Sequence, residues 1–252
     1  MPGVRWFFYR DVWWVLWWQH GRFAERPEPF SPMDLPSLLS LAQMAWPVML
    51  KGTGYTLLFA VMSMLFGLPL AALITLIRVL RIRVLDTVMA VYVSAMRGTP
   101  LLVQVFIVYY GLPSIGIEFS PLAAGVLTLT LNVAAYMSET LRGAIGAVEQ
   151  GQWLAGTSLG LSRQQTLRFI VGPQALRAAV PSLSNSLISL IKDTSLVSVI
   201  AVTELMLATK ELISTTFQPF PLYLAAACIY WLLSFCFEQI QKWMEKRMAY
   251  PH

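Results

Sequence analysis

Charge is scarce in this chain. Of its 252 residues only 12% are Asp, Glu, Lys or Arg, about half the roughly 25% of an ordinary soluble domain, which argues against a water-soluble fold. With 57% hydrophobic residues and a mean hydropathy of +0.62, a disordered chain is excluded as well. Histidine is rarer still: His20 and His252 lie at opposite ends of the sequence, so neither a histidine-based catalytic pair nor a metal-ligand cluster can be assembled from neighbouring positions. The two cysteines, Cys228 and Cys236, share one apolar run and would stand ~12 Å apart on a helix, too far for a disulfide. No G-x-x-x-x-G-K-[ST] phosphate loop occurs, so this chain is not expected to hydrolyse ATP. Acidic residues are the scarcer charge, 13 against 18 basic, giving +5 and a pI near 9.4. The basic residues sit between apolar runs, the pattern of a membrane protein with basic loops rather than of a nucleic-acid binder.

Long apolar runs are what the chain does have. A hydrocarbon core ~30 Å thick takes about 20 residues of helix, and five runs approach that length: residues 54–77, 84–110, 122–138, 180–202 and 217–237. The second carries Asp86 and Arg97, and the fourth carries Lys192 and Asp193 at its centre. Ten basic residues (Arg78, Arg81, Arg83, Arg142, Arg163, Arg168, Arg177, Lys242, Lys246 and Arg247) follow the first, third and fifth runs, while the opposite loops, 111–121 and 203–220, hold Lys210 alone. The positive-inside bias therefore predicts a cytoplasmic C-terminus and, with five crossings, an external N-terminus.

Residues 1–50 read as an extension, residues 51–247 as the membrane domain and 248–252 as a tail. Within the extension, Val12 to Trp18 is too short to span; its tryptophans suit the headgroup layer, and an interfacial helix and an unstructured extension are equally good readings. Pro27, Pro29, Pro32 and Pro36 mark a linker behind it. The cytoplasmic loop 141–180 is too long for a mere connector. Gly151 to Gly160 reads as a short helix closed by glycine, Ser162-Arg-Gln-Gln165 as a capping box opening a second, and Gly172-Pro173 as that helix's end. Two capped helices on one cytoplasmic face suggest a docking surface.

Four segments, in order and spacing, carry a family resemblance: Arg97-Gly98-Thr99-Pro100-Leu101-Leu102, Gly151-Gln152-Trp153, Pro173-Gln174-Ala175 and Lys192-Asp193-Thr194-Ser195-Leu196. From about Lys51 to Arg247 the chain resembles the permease subunits of polar amino-acid ATP-binding-cassette importers, most like the cystine-type ones. The resemblance implies an all-α integral membrane fold of the type I importer kind, with five transmembrane helices and a cytoplasmic coupling-helix loop. It implies a bacterial inner-membrane location, alternating access, and a dimer with a second permease, identical or paralogous. It further implies a pair of ATPase subunits that bind the ATP and Mg, leaving this chain without a cofactor, and an external solute-binding protein that delivers a polar amino acid; no nucleic acid is involved. The family's coupling motif, Glu-Ala-Ala, three residues, Gly and then an apolar-Pro pair, maps onto Leu154-Ala155-Gly156, Gly160 and Gly172-Pro173. Leu154 stands where the family has its acid. Trp153, Leu154, Ala155, Gly156 and Gly160 are the coupling candidates, a small-residue face for a groove on the ATPase.

Ionisable side chains inside spans are costly, at least ~2.5–3.5 kcal/mol on insertion scales, and point to function. Arg97, Lys192 and Asp193 qualify, with structural ion pairing as the competing reading; Glu139 is a candidate partner for Arg97. The adjacent Gly98 and Pro100 break helical hydrogen bonding, which is tolerated at membrane depth where the backbone lines a cavity or is buried in protein. Asn132, Tyr136 and Glu139 fall at i, i+4 and i+7, one polar stripe on an apolar helix, which serves either interhelical hydrogen bonds or substrate. The predicted pathway set is Arg97, Asn132, Tyr136, Lys192, Asp193 and Thr194. Gly156-Thr157-Ser158-Leu159-Gly160 also matches the G-x-S-x-G elbow of serine hydrolases, but no histidine is within reach to activate Ser158. A permease for another small polar solute and a passive channel are the remaining alternatives, and the channel leaves the docking loop unexplained.

Overall fold

The computed structural model describes residues 34–248 and is helical throughout, without strands among those residues. The proposed interfacial segment at Val12 to Trp18 and the prolines before Pro36 lie outside the described residues. The elements are α1 (Leu35–Val79), α2 (Arg83–Gly98), α3 (Leu101–Phe106), α4 (Pro121–Ala147), α5 (Gln150–Ser158), α6 (Arg163–Thr166), α7 (Gly172–Asp193), α8 (Leu205–Thr216) and α9 (Pro219–Met248). Among the described residues three of them, α1, α4 and α9, are long and apolar enough to cross a membrane. A fourth crossing is added if α2 and the bent segment 101–115 are taken together.

The helix α1 shows how an all-apolar helix sorts its faces. Phe59, Ala60, Ser63, Gly67, Ala71 and Ile74 recur at helical spacing and are buried, while Leu58, Val61, Leu65, Phe66, Leu73 and Leu76 point outward. The small residues of the buried face, Ala60, Ser63, Gly67 and Ala71, follow the membrane pattern, because lipid is as apolar as leucine and helices associate by close approach. Gly67 makes that approach: a Cβ there would lie 2.7 Å from Val133 Cγ1 on α4. The central helix α4 starts at Ser120, whose hydroxyl accepts from the Ala123 N–H at 3.3 Å. It packs most extensively against α7, burying Ala124, Leu129, Ala134, Ala135 and Met137. The outermost helix, α9, turns Tyr223, Leu224, Trp231, Leu232 and Phe235 outward, and both cysteines on it are free and exposed.

Three sequence expectations are modified, but the break in the second run at Gly98 and Pro100 is as the sequence suggests: α2 stops at Gly98, and the segment from Leu101 to Ile115 departs at 110°. Pro100 lacks the N–H a helix would need there. The Gly172-Pro173 pair is not a stop. The chain passes from α6 through a π-helical turn, Leu167–Val171, straight into α7, with Pro173 in its first turn, where a missing N–H costs nothing. The wider turn brings the Leu167 carbonyl to 2.5 Å from where a Cβ on residue 172 would be, which only glycine accommodates. Finally, α7 ends at Asp193, so Lys192 and Asp193 terminate a helix instead of centring one, and a 3-10 segment, Thr194–Ile200, continues to a left-handed Ala201 (φ 58). The outer loop expected at 203–220 contains α8.

Close approach at Gly67 yields a stability test. Gly67→Ala is expected to cost about 1–3 kcal/mol through overpacking against Val133, read as a lower melting temperature in detergent. Gly54→Ala, on the same helix with nothing within 4 Å, should be neutral; equal melting temperatures for both would remove the proposed α1–α4 contact from the stability account.

Candidate functional site

Breaking the second run at Gly98 opens a cavity of about 590 Å³ between the break, α4 and α7. The break contributes Arg97 and Thr99, α4 contributes Asn132 and Tyr136, and α7 contributes Asn185, Ser186, Ser189 and Asp193. Four of the six predicted pathway residues, Arg97, Asn132, Tyr136 and Asp193, are thus brought together from segments up to 96 positions apart. The other two are not. Lys192 is exposed and does not line the cavity, and Thr194 is fully buried, its hydroxyl donating to the Ile191 carbonyl at 2.7 Å.

The cavity is electrically asymmetric. Arg97 places its guanidinium over the Tyr136 ring, 5.5 Å from the centroid, and 3.8 Å from Glu139 Oε2. Arg97 therefore both lines the cavity and reaches the acid suggested as its structural partner. Glu139 is the hub of a cationic cluster: Arg142 Nη2 approaches its Oε2 at 2.7 Å, Arg78 donates to Oε1, and Arg78 Nε lies 3.7 Å from Asp86. Shared in this way, one carboxylate leaves Arg97 only partly neutralised. On the other wall the Asp193 carboxylate has no hydrogen bond or ion pair within 4 Å among the described residues; Lys192 acts on it only through longer-range charge. Cation and anion thus face one polar space.

Asn185, Ser186 and Ser189 were not among the sequence candidates. Their signal is present, since Asn185, Ser189 and Asp193 repeat every four residues, but it was masked by the apolar residues between them. Glu204 was also missed. Fully buried at the N-terminus of α8, it accepts from the Met206 and Leu207 N–H groups at 2.9 Å each and from the Tyr230 hydroxyl at 2.7 Å, tying α8 to α9. Burial pushes this carboxyl upward from its ordinary range, and those three donors, with Lys210, pull against it.

On the basic face, α5 and α6 form a tight hairpin. Gly160 adopts a left-handed φ of 76, and the N–H groups of Gly160 and Leu161 return to the carbonyls of Thr157 and Gly156 at 3.0 and 3.1 Å, a Schellman closure. The expected capping box follows: Ser162 Oγ accepts from the Gln165 N–H and Gln165 Oε1 from the Ser162 N–H. Leu154 and Ala155 are exposed on α5, and Trp153 is half-buried beneath the Arg163 guanidinium at 5.9 Å. Gly156 faces the other way. It is buried, and a Cβ there would strike Thr166 at 2.5 Å, so it belongs to the hairpin's inner contact and not to the outward small-residue face.

Residues 67–250 match the family described as binding-protein-dependent transport system inner membrane components. The chain belongs to this family. It is 42% identical over 218 residues to the L-cystine transport system permease protein TcyB of Bacillus subtilis (strain 168), covering 86% of this chain and 91% of that protein. It is 36% identical to the putative glutamine transport system permease protein GlnP of Rickettsia bellii (strain RML369-C), over 79% of this chain and 91% of that one. Among solved structures, the crystal structure of an amino acid ABC transporter with histidines superposes with a TM-score of 0.80 at 30% identity, covering 86% of this chain and all of that one. The inward-facing MetNI methionine ABC transporter, at 15% identity and a TM-score of 0.61, shares the fold. The chain is accordingly a permease subunit that works with a separate ATPase and has no catalytic site of its own. Ser158, the hydrolase alternative, is an exposed residue in the last turn of α5.

The Glu139 hub supplies the permease's second test. Glu139→Gln would remove the one carboxylate that three guanidiniums share, leaving Arg78 with Asp86 alone and Arg97 and Arg142 without an ion-pair partner. The expected loss is ~2–3 kcal/mol, below that of a fully buried pair because Arg97 and Arg142 are half-exposed. It should appear as reduced yield and a lower melting temperature, and unchanged thermal stability would show the cluster to be dispensable.

Proposed function

We propose that the cavity at the broken span is the translocation pathway for a polar amino acid and that the α5–α6 hairpin is where the ATPase docks. The observation that carries the proposal is the convergence of Arg97, Asn132 and Asp193, from three separate elements, on one polar space with opposite charges on its walls. A free amino acid is a zwitterion. Its carboxylate suits the Arg97 side and its ammonium the Asp193 side, while Thr99, Asn185 and Ser189 offer uncharged hydrogen-bonding groups between them. The names of the relatives, cystine and glutamine permeases, and the histidine-bound transporter of similar fold support the same substrate class.

In this reading five segments cross the bacterial inner membrane, with the N-terminus outside and the C-terminus inside. The crossings are α1, the bent α2–α3 pair, α4, α7 and α9; α7 carries the Asn185–Ser189–Asp193 stripe that faces the cavity. Residues 51–247 form the permease domain behind an N-terminal extension. Thr194 is assigned to the pathway's supporting framework, and Lys192 to its rim. Leu154, Ala155 and Trp153 make the outward docking face, and Gly156 and Gly160 hold its shape. The complex contains a second permease, two ATPase subunits that carry ATP and Mg, and an external solute-binding protein.

Uptake and ATP hydrolysis measured side by side in proteoliposomes of the full complex separate the two assignments. Asp193→Asn and Asn132→Ala are expected to lower L-glutamine or L-cystine uptake about tenfold, the size of one lost polar ligand contact, while binding-protein-stimulated ATP hydrolysis persists. Gly160→Leu strains a left-handed turn by about 1–2 kcal/mol and should lose both activities together with membrane insertion intact. Unaltered uptake in both pathway variants, or normal coupling in Gly160→Leu, contradicts the corresponding assignment.

A further inference from the structure

The polarity of the Asn132 amide is set from behind, by a residue outside the predicted site. Where α2 ends, the Met96 carbonyl would bond to the N–H four residues on, but that residue is Pro100, which has none. The Thr99 carbonyl is likewise outside any helix. Gln104, in the first turns of α3 and nearly inaccessible, covers both: its Nε2 donates to Met96 O at 2.8 Å and to Thr99 O at 3.1 Å, and lies 2.9 Å from Thr99 Oγ1. Carbonyl oxygens only accept, so the nitrogen of Gln104 must face the break and its oxygen must face α4. There Oε1 accepts from Asn132 Nδ2 at 3.0 Å, and the same nitrogen reaches Met96 O at 3.4 Å. Both Asn132 donors are then committed. Asn132 Oδ1 accepts nothing from the described residues, and Asn132 lines the cavity.

We infer that Gln104 is a positioning residue for transport: it locks the break and presents Asn132 to the cavity as a hydrogen-bond acceptor. The inference deepens the pathway reading and rests on it. With Asp193 it makes a pair of acceptors in the cavity, the chemistry that receives a primary ammonium, and it explains why an uncharged amide can serve beside a carboxylate there. An Asn132 free to rotate would present donor and acceptor interchangeably and lose that selectivity.

The test uses proteoliposomes of the full complex and L-glutamine and L-cystine as probes, and reads molecules taken up per ATP hydrolysed. Gln104→Met keeps the length of the side chain without its amide. It is expected to lower that ratio about fivefold to tenfold with stimulated ATP hydrolysis retained, and to produce less than about a twofold further change when added to Asn132→Ala, because it acts through Asn132. A wild-type ratio in Gln104→Met, or the same fold-loss in the Asn132→Ala background, overturns the inference. Wild-type uptake in both Asn132→Ala and Asp193→Asn would instead overturn the pathway itself, so the two failures are distinct. Should Gln104→Met not assemble, Gln104→Glu, which still accepts from Asn132 but cannot donate to both carbonyls, must assemble and show a lowered ratio. Failure of both variants to assemble makes Gln104 a residue of the fold and likewise overturns its positioning role.

Discussion

Breaking a helix inside an apolar layer leaves carbonyl groups with no water to satisfy them, and this constraint organises the rest of the permease. Irregular backbone at membrane depth is tolerated only where it is buried in protein or lines a wet cavity. The break after Gly98 meets both conditions. Gln104 covers the carbonyls on its buried side, and its other side opens on the cavity shared with α4 and α7. The residues that interrupt the second run as a span, Arg97, Gly98 and Pro100, are therefore the ones that open the cavity.

Small residues do the complementary work. Gly67 allows α1 to approach α4, and Gly156 allows α5 to seat on Thr166. These contacts leave polar groups free to cluster where they are used. Glu139 gathers guanidiniums from α1, α2 and α4 at the arginine-rich end of the bundle, and Glu204 joins α8 to α9 at the turn beyond α7. Between those two anchored ends lies the cavity, whose Asp193 carboxylate is left without a direct partner. Anchored ends and an unpartnered carboxylate between them suit a chain that must reshape its centre without losing its fold.

What was legible in the sequence was whatever one dimension can express. Apolar length announced α1, α4 and α9; the Ser162–Gln165 box and the glycine at 160 announced the hairpin to the residue; and charges placed in spans announced Arg97 and Asp193. The missing parts needed a second element to be visible. Asn185 and Ser189 line the cavity only because α7 turns that face to α4, and Gln104 meets the Met96 carbonyl only because Pro100 strips it of a partner. Glu204 becomes an anchor only because α8 forms directly behind it and Tyr230 reaches it from α9. The Gly172-Pro173 pair misled because the same residues that end an α-helix also fit a π-helical turn that continues into the next one.

The central claim is that substrate passes through the cavity between the break, α4 and α7. Its most direct test places a single thiol there: Ser189→Cys in a chain whose Cys228 and Cys236 are replaced by serine, reconstituted in the full complex. The rate of alkylation by a small polar thiol reagent is then followed during ATP-driven turnover. The account predicts that Ser189→Cys is labelled and that saturating L-glutamine with its binding protein slows the reaction severalfold. A thiol at residue 189 that stays unreactive throughout turnover, or one whose labelling ignores the substrate, would contradict it.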